Sequence, residues 1–508
     1  MSGLRTDETL SGDRIVMDAS FSRVGVSRSR LVAVPKILII LFLCSLPLVN
    51  PWVRGDGVGY YAYLRSALID HDLRFEDDYL SANRSFVMAK TDGQDHILSN
   101  LFTKTGYVEN HFAVGPAILW APAIVVTHGI VLLTDKWGGH VPADGYSRPY
   151  LLTMAVTTAC YGFLSLFLAY RIAQKYFDDQ SAFLATVGIW MASSLPIYMY
   201  FNPSWSHAIS AFTVSLYLWY WERTKVERTT WQWVILGLVA GLMGNVYYPN
   251  AILLIFPVLE IGYLMLQGNR AQGAAAVSIK ILAARCGIFS VAFLASLLPT
   301  FITRKIIYGN PFETGYPPVW TWNWTSPVLL KIFFSSDHGM FSWTPILIFA
   351  VAGLPFLIKR DVLLGLGSII TFISFYYFIA SYPDWDGISS FGNRFFVSLT
   401  PIFIFGLAAL IASLAEWLGK TTRALTLAGP ALALLIIWNL AFIFQWGTHM
   451  VPARGEISWS VMIHNQFAAV PQRLTQDLKI YFLNRGEMMK EIEQKDLEQR
   501  SLQLKGGE

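Results

Sequence analysis

LVAVPKILIILFLCSLPLVNPWV, residues 31–53, is the first long apolar run of the chain, and RGDGVGYYAYLRSALIDHD, residues 54–72, follows it at once. A run of that length can cross a hydrocarbon layer as a helix. What comes next is a lone carboxylate, Asp56, between Gly55 and Gly57, and then a Tyr-rich segment. The rest of the chain agrees with a membrane setting. Of its 508 residues 54% are hydrophobic and only 14% charged, mean hydropathy is +0.44, and there are 18 Trp, 23 Tyr and 34 Phe. Soluble domains carry about a quarter charged residues. A formal charge of +4 is too small for a nucleic-acid partner. Cys44, Cys160 and Cys286 lie in apolar runs without paired spacing, which predicts free thiols in helices. No small-residue cleavage motif follows the first run, so it is expected to stay as an anchor.

Working outward, residues 1–30 read as a flexible basic leader on the cytoplasmic side, with Arg5, Arg14, Arg23, Arg28 and Arg30. Candidate spans are 33–52, 149–171, 182–200, 207–222, 232–248, 250–266, 281–303, 341–358, 362–381, 395–416 and 425–445. Loops rich in Lys and Arg (Arg171 and Lys175; Arg223, Lys225 and Arg228; Arg270; Lys359 and Arg360; Lys420 and Arg423) alternate with loops poor in them. The positive-inside rule places the first set in the cytoplasm. For that alternation to hold, the further apolar run 113–133 must not cross. It is expected to lie in or dip into the outer face, bent by Gly115, Pro116 and Pro122. The sequence thus predicts an all-α polytopic membrane protein of about eleven transmembrane helices. Residues 31–445 form its membrane domain, 53–148 a large helical first external loop, and 446–508 a polar, partly helical tail with alternating charges.

Polar chemistry is confined to external segments. Asp56 precedes a helical pattern, Val58, Tyr61, Leu64 and Leu68, so it suits an N-cap, and it equally suits a general base at the lipid–water boundary. Glu76, Asp77 and Asp78 read as a solvated loop or as a source of a second acid. His111, Arg304, Lys305 and Arg394 sit at external ends of spans.

An apolar span ending in Gly-Asp, an external helix, and then HFAVGPAILWAP (111–122) before the next span resembles the GT-C superfamily of membrane glycosyltransferases, which includes protein O-mannosyltransferases and the lipid A aminoarabinose transferase. SHAISAF, SSDHGMFSWTP and WDGISSFGNRFF are similar to segments of bacterial members of that group. The resemblance covers residues 35–445 and is most specific over 54–150. It implies sugar transfer from a polyprenyl-phosphate carrier to a glycan, lipid or protein acceptor, on the outer face of a bacterial plasma membrane, with Asp56 in the place of the catalytic acid. The sequence departs from the pattern in two places. Many relatives have Asp-Glu where Asp56-Gly57 stands, and the second external loop, FNPSWSHA, lacks a carboxylate. A divalent metal stays an open expectation on that account, with no cofactor assigned.

The chemistry itself needs a base for the acceptor hydroxyl and cations for a departing phosphate. Asp56 is the expected base. Arg394, with Arg304 or Lys305, is expected at the phosphate, and Tyr60, Tyr61, His111, Trp385 and Asp386 in the substrate pocket. Rival expectations are a transporter or flippase for a lipid-linked glycan, which would want ionisable residues within the spans, and a non-catalytic subunit of a glycan-assembly complex.

Overall fold

The computed structural model describes residues 33–92, 94–225, 227–270 and 279–505. The leader expected over residues 1–30 lies outside them, as do residues 271–278 of the loop beyond Arg270. Among the described residues there are helices and no strands; Thr91–Ile97 and Phe102–Val108 form isolated bridges.

In chain order, α1 (Ala33–Ser45) leads to the short helix α2 (Asp56–Arg65). Next come α3 (Gly115–Lys136), α4 (Arg148–Tyr176), α5 (Asp179–Ala192), α6 (His207–Thr224) and α7 (Thr230–Val246). The chain goes on through α8 (Ile255–Arg270), α9 (Ile279–Ser296), α10 (Leu298–Tyr308), α11 (Ile346–Leu357) and α12 (Val362–Ser381). It closes with α13 (Thr400–Trp417), α14 (Thr421–Gly447), α15 (Val470–Leu483) and α16 (Arg485–Lys505). Each of the eleven apolar runs is helical over most of its length. Among the described residues six helices are long and apolar enough to cross a membrane, and α9 with α10, bent by 45°, makes a seventh; α1, α7 and α11 are shorter apolar helices.

α13 is the buried spoke, packed on α4, α5, α11 and α14. Small residues set its closest approach. A Cβ on Gly353 of α11 would sit 1.8 Å from the Gly406 carbonyl oxygen. Such positions let helix backbones touch where lipid gives no hydrophobic drive for association.

α3 continues as one helix through Pro122. It runs antiparallel to the first half of α4: Leu119 O accepts from the Tyr161 hydroxyl at 3.0 Å, Trp120 Nε1 donates to Thr158 Oγ1 at 2.8 Å, and His128 Nδ1 meets the Tyr150 hydroxyl at 2.7 Å. The second half of α4 turns to α6 instead, through Ser165–Ser215 at 2.8 Å and Lys175–Glu222 at 2.5 Å.

The bundle has two chemically distinct ends. One gathers Lys175, Tyr176, Glu222, Lys225 and Asp361, with Lys225 Nζ 2.6 Å from Asp361 and an Arg360–Glu416 pair close by. The other holds Asp56, the segment 66–114, the 308–328 and 382–394 loops and the tail. The tail is helical through α15 and α16. It docks beside the end of α1, where Tyr481 donates to Leu48 O at 2.6 Å and Arg485 to Pro47 O at 2.8 Å.

Candidate functional site: an aspartate–arginine pair in a cavity

The glycines around Asp56 decide where it stands. Gly55, at φ +53°, occupies the cap position and Asp56 is the first helical residue. The cap position expected for Asp56 is thus taken by Gly55. A Cβ on Gly57 would lie 1.9 Å from Ser204 Oγ, and one on Gly59 2.0 Å from Phe112. The α2 backbone is thus pressed against Ser204 and Phe112, and an added side chain at Gly57 or Gly59 would force these neighbours to shift.

Opposite Asp56 lies Arg394, at the entrance of α13. Its Nη1 is 2.8 Å from Asp56 Oδ2 and its guanidinium stacks over Trp205 at 4.5 Å. Gly387, at φ +74°, leaves room for that guanidinium: a Cβ there would be 2.9 Å from Nε. Trp205 in turn is tied by Nε1 to the Arg54 carbonyl at 2.9 Å. Asp56 keeps 28% of its side chain exposed whereas Arg394 is nearly buried. Nε and Nη1 of Arg394 nonetheless have no aligned hydrogen-bond acceptor among the described residues. A buried guanidinium with free donors is costly unless a ligand completes it.

The pair opens on a cavity of about 990 Å³, at the upper end of ligand-site volumes. Tyr60, Tyr316 and Tyr382 stand around it, and burial first, with the Asp56 carboxylate adding to it, pushes all three phenols above their ordinary value. They therefore present neutral hydroxyls. Burial, helped by the nearby cations Lys90, Arg304 and Arg394, lowers His111 to about 4, so its imidazole is neutral too. Much of the remaining wall is apolar, including Ile252, Trp322 and Phe378 on one part and Leu440, Phe444 and Leu478 on another.

Of the expected site residues, Asp56, Tyr60, His111 and Arg394 line this cavity. Tyr61, Arg304, Lys305, Trp385 and Asp386 are not among its lining residues. The Tyr61 hydroxyl donates to Gly145 O at 2.7 Å, on the other side of α2. Arg304 spends its donors on the carbonyls of Asn110 (2.5 Å), His111 (2.9 Å) and Phe112 (2.8 Å), so it fixes the strand of chain that carries His111. Lys305 is exposed and donates to Gly309 O at 2.8 Å. Trp385 offers its carbonyl to Asn393 at 2.8 Å, beside Arg394. Asp78, read with its neighbours as part of a solvated loop or a second acid, is fully buried and away from the cavity, where it accepts from the Tyr146 hydroxyl at 2.6 Å. Residues that the sequence did not single out also line it: Arg54, Tyr247, Tyr248, Tyr316, Asp384, and from the tail His449, Arg454 and Asp496.

Among the described residues no three His, Cys, Asp or Glu side chains gather at one point, and Asp56 is paired with the cation Arg394.

A helical bundle of membrane-capable spans with a polar pair in an apolar-walled cavity at one end defines the class. Comparison with known proteins adds relatives. The sequence profile of the family described as "Dolichyl-phosphate-mannose-protein mannosyltransferase" matches residues 151–294, from α4 into α9, and so agrees with the resemblance read from the sequence. No curated protein sequence matches the chain. The oligosaccharyltransferase of Archaeoglobus fulgidus in its apo form is similar at a TM-score of 0.46 and 13% identity, over 88% of this chain and 55% of that one. The same enzyme with Zn and sulfate gives 0.42 and 15%, over 82% and 55%. ArnT from Cupriavidus metallidurans in the apo state gives 0.43 and 13%, over 84% and 66%. The chain thus spans between about half and two-thirds of the length of these structures.

Proposed function

We propose that the protein is an integral membrane glycosyltransferase that moves a sugar from a polyprenyl-phosphate carrier to an acceptor hydroxyl. The observation that carries this reading is the Asp56–Arg394 pair, with unused arginine donors, at the centre of a cavity whose walls are largely apolar. In the reaction the acceptor oxygen attacks the anomeric carbon and the bond from that carbon to the phosphate oxygen breaks. The acceptor proton passes to the Asp56 carboxylate. The leaving phosphate is already an anion and needs stabilisation, which the Arg394 guanidinium supplies. A phosphate beside Arg394 also competes for the charge that Asp56 holds in this structure, which frees the carboxylate to act as base. Neutral Tyr60, Tyr316, Tyr382 and His111 offer hydrogen bonds to sugar hydroxyls. No step is routed through a metal.

Sidedness follows the positive-inside rule. The end holding Lys175, Lys225 and Arg360 is taken as cytoplasmic, and the Asp56 end as external. Nucleotide sugars are cytoplasmic, so a site on the far face needs a lipid-borne donor. In this reading residues 53–148 are an external loop whose α3 lies along the outer part of α4, and the tail is external. A transporter would hold unpaired ionisable residues within its spans; Glu260 of α8 instead pairs at 3.2 Å with Arg228, in the loop between α6 and α7.

The test is transfer from a panel of polyprenyl-phosphate sugars by purified Asp56→Asn and wild-type protein. Loss of about 10³-fold in kcat is expected for removal of a general base; equal rates would end the assignment. Lys305→Cys in a cysteine-free background reports the face, with labelling by an impermeant maleimide expected from outside intact cells.

A further inference from the structure

The tail brings a second charged cluster to the cavity wall, and its composition is uneven. Asp496 of α16 pairs with Arg54 and lies 3.0 Å from His449 Nε2. Arg454 stands in the same group. It lines the cavity, half-buried, and the charges of Asp496, Asp56, Arg54 and Arg394 all act on it. Among the described residues its guanidinium has no hydrogen-bond or ion-pair partner. Two guanidiniums and an imidazole thus share one carboxylate. Burial alone would raise the Asp496 carboxyl, but the His449 hydrogen bond and the Arg54 and Arg454 charges overcome it and hold it below its ordinary value.

α16 is a strongly polar helix, yet one stripe of it faces inward: Met488, Ile492 and Asp496, spaced four apart, all line the cavity. Beside that stripe the wall is apolar, from Leu440, Ile443 and Phe444 of α14 to Leu474 and Leu478 of α15. The helix is held to the rest of the protein at this end by polar contacts that can exchange: Glu493 with the Ser85 amide at 2.8 Å and with Asn83 at 3.2 Å, besides the Asp496 pair.

We infer that Arg54, Arg454 and His449 form an anion subsite, separate from the Asp56–Arg394 pair and filled in this structure by the chain's own Asp496, which takes the phosphate of a long-chain lipid whose chain lies between α14 and α15. The inference deepens the reading above and rests on it for the class of ligand. Loading exchanges one anion for another: the lipid phosphate replaces the Asp496 carboxylate on Arg54 and meets the free donors of Arg454, and the end of α16 yields. No covalent bond changes. A phosphate presents more acceptor oxygens than a carboxylate and can engage both guanidiniums at once.

Binding is read without transfer, on the full chain in a neutral detergent, with radiolabelled polyprenyl monophosphate as probe. Asp496→Asn keeps the shape of the side chain and removes the competing charge; affinity is expected to rise about tenfold. Arg454→Gln breaks no bond within the protein, so its thermal midpoint is expected to stay at the wild-type value while affinity falls about tenfold. Unchanged affinity in Arg454→Gln, or in a well-folded Asp496→Asn, overturns the subsite. Should Asp496→Asn not fold, Arg454→Gln alone decides. Excess phosphatidic acid separates the two sources of such a phosphate. Displacement of the probe supports a subsite for an anionic lipid acceptor, and retention supports one that holds the carrier phosphate away from its transfer position at Arg394. A null in these binding assays leaves the transferase reading standing, and lost transfer in Asp56→Asn leaves the subsite standing.

Discussion

The two ends of the bundle handle charge in opposite ways. At the end away from the cavity, Glu222 lies 2.5 Å from Lys175 and 2.8 Å from Lys225, Lys225 also reaches Asp361, and deeper in, Glu260 accepts from Trp221 at 2.8 Å and meets Arg228 at 3.2 Å. Cations and anions there are spent on each other. At the cavity end, among the described residues, Asp56 has one ion-pair partner and no hydrogen bond, Arg394 has unaligned donors, and Arg454 has no partner. Burying charge is costly, and a pair is tolerable only when both members are satisfied. The first end is therefore a clasp between helices, and the second is a set of charges that lacks its last member. What separates structural from functional charge in this protein is whether the set closes without a ligand.

The sharpest way to break that distinction is to open the clasp. Arg228→Met takes away the buried Glu260 carboxylate's cationic partner, at a cost of about 3–5 kcal/mol. The thermal midpoint is expected to fall well below wild type while transfer per folded molecule is unchanged. The reverse pattern, full stability with lost transfer, would make the clasp a functional element.

Arg394→Lys probes the other end. It keeps the positive charge but loses the planar fork and its stack on Trp205. A fall of about 10²-fold in kcat is expected, the scale for a misplaced oxyanion donor, with the thermal midpoint close to wild type. A variant as active as wild type would reduce Arg394 to a counter-ion for Asp56.

Gly57→Ala sharpens the comparison at the level of packing. The added Cβ meets Ser204 Oγ at 1.9 Å, and overpacking of this kind costs about 1–3 kcal/mol. Ser204→Gly in the same chain is expected to recover most of that loss. A double-mutant cycle on thermal stability measures the coupling; additive effects would mean that the α2–loop contact does not position Asp56.

How much of this was legible follows physical lines. Apolar runs near the length of a bilayer crossing were read one by one, and each is helical over most of its length, because that signal is local and strong. Asp56 and Arg394 were legible as polar residues at the mouths of spans. Tyr60 and Tyr61 were not separable, since neighbours on a helix point about 100° apart and only one can face the cavity. Arg304 read as a cation at the end of a span, expected at the phosphate. Three carbonyls of residues 110–112, nearly two hundred positions earlier, bury it, and no local pattern announces such a partner. The tail read as alternating charge. Its contribution was marked only by Met488 and Ile492 at helical spacing ahead of Asp496, in a helix otherwise too polar to need them.

The smallest expected effect concerns Asp78, which belongs to neither end's logic. It is buried in the first loop with Tyr146 on one oxygen, no partner on the other, and Arg65 3.9 Å away. Burial pushes its carboxyl up to about 7, with Asp70 and Asp77 adding to it, against the lowering by the Tyr146 hydrogen bond and the Arg65 charge. An unfolded aspartate titrates at about 4. The folded loop therefore keeps a proton that the unfolded chain releases. That stabilisation is fully present below about pH 4 and is lost as pH rises through about 7. Between pH 6 and 8 the loss amounts to about 1 kcal/mol, seen as a lower thermal midpoint at the higher pH. Asp78→Asn fixes the site in a neutral form, so this part of the pH slope should vanish in the variant. An unchanged slope would mean that the carboxylate is charged and satisfied after all. Asp78 would then join the clasp at the other end, as one more charge that the protein closes by itself.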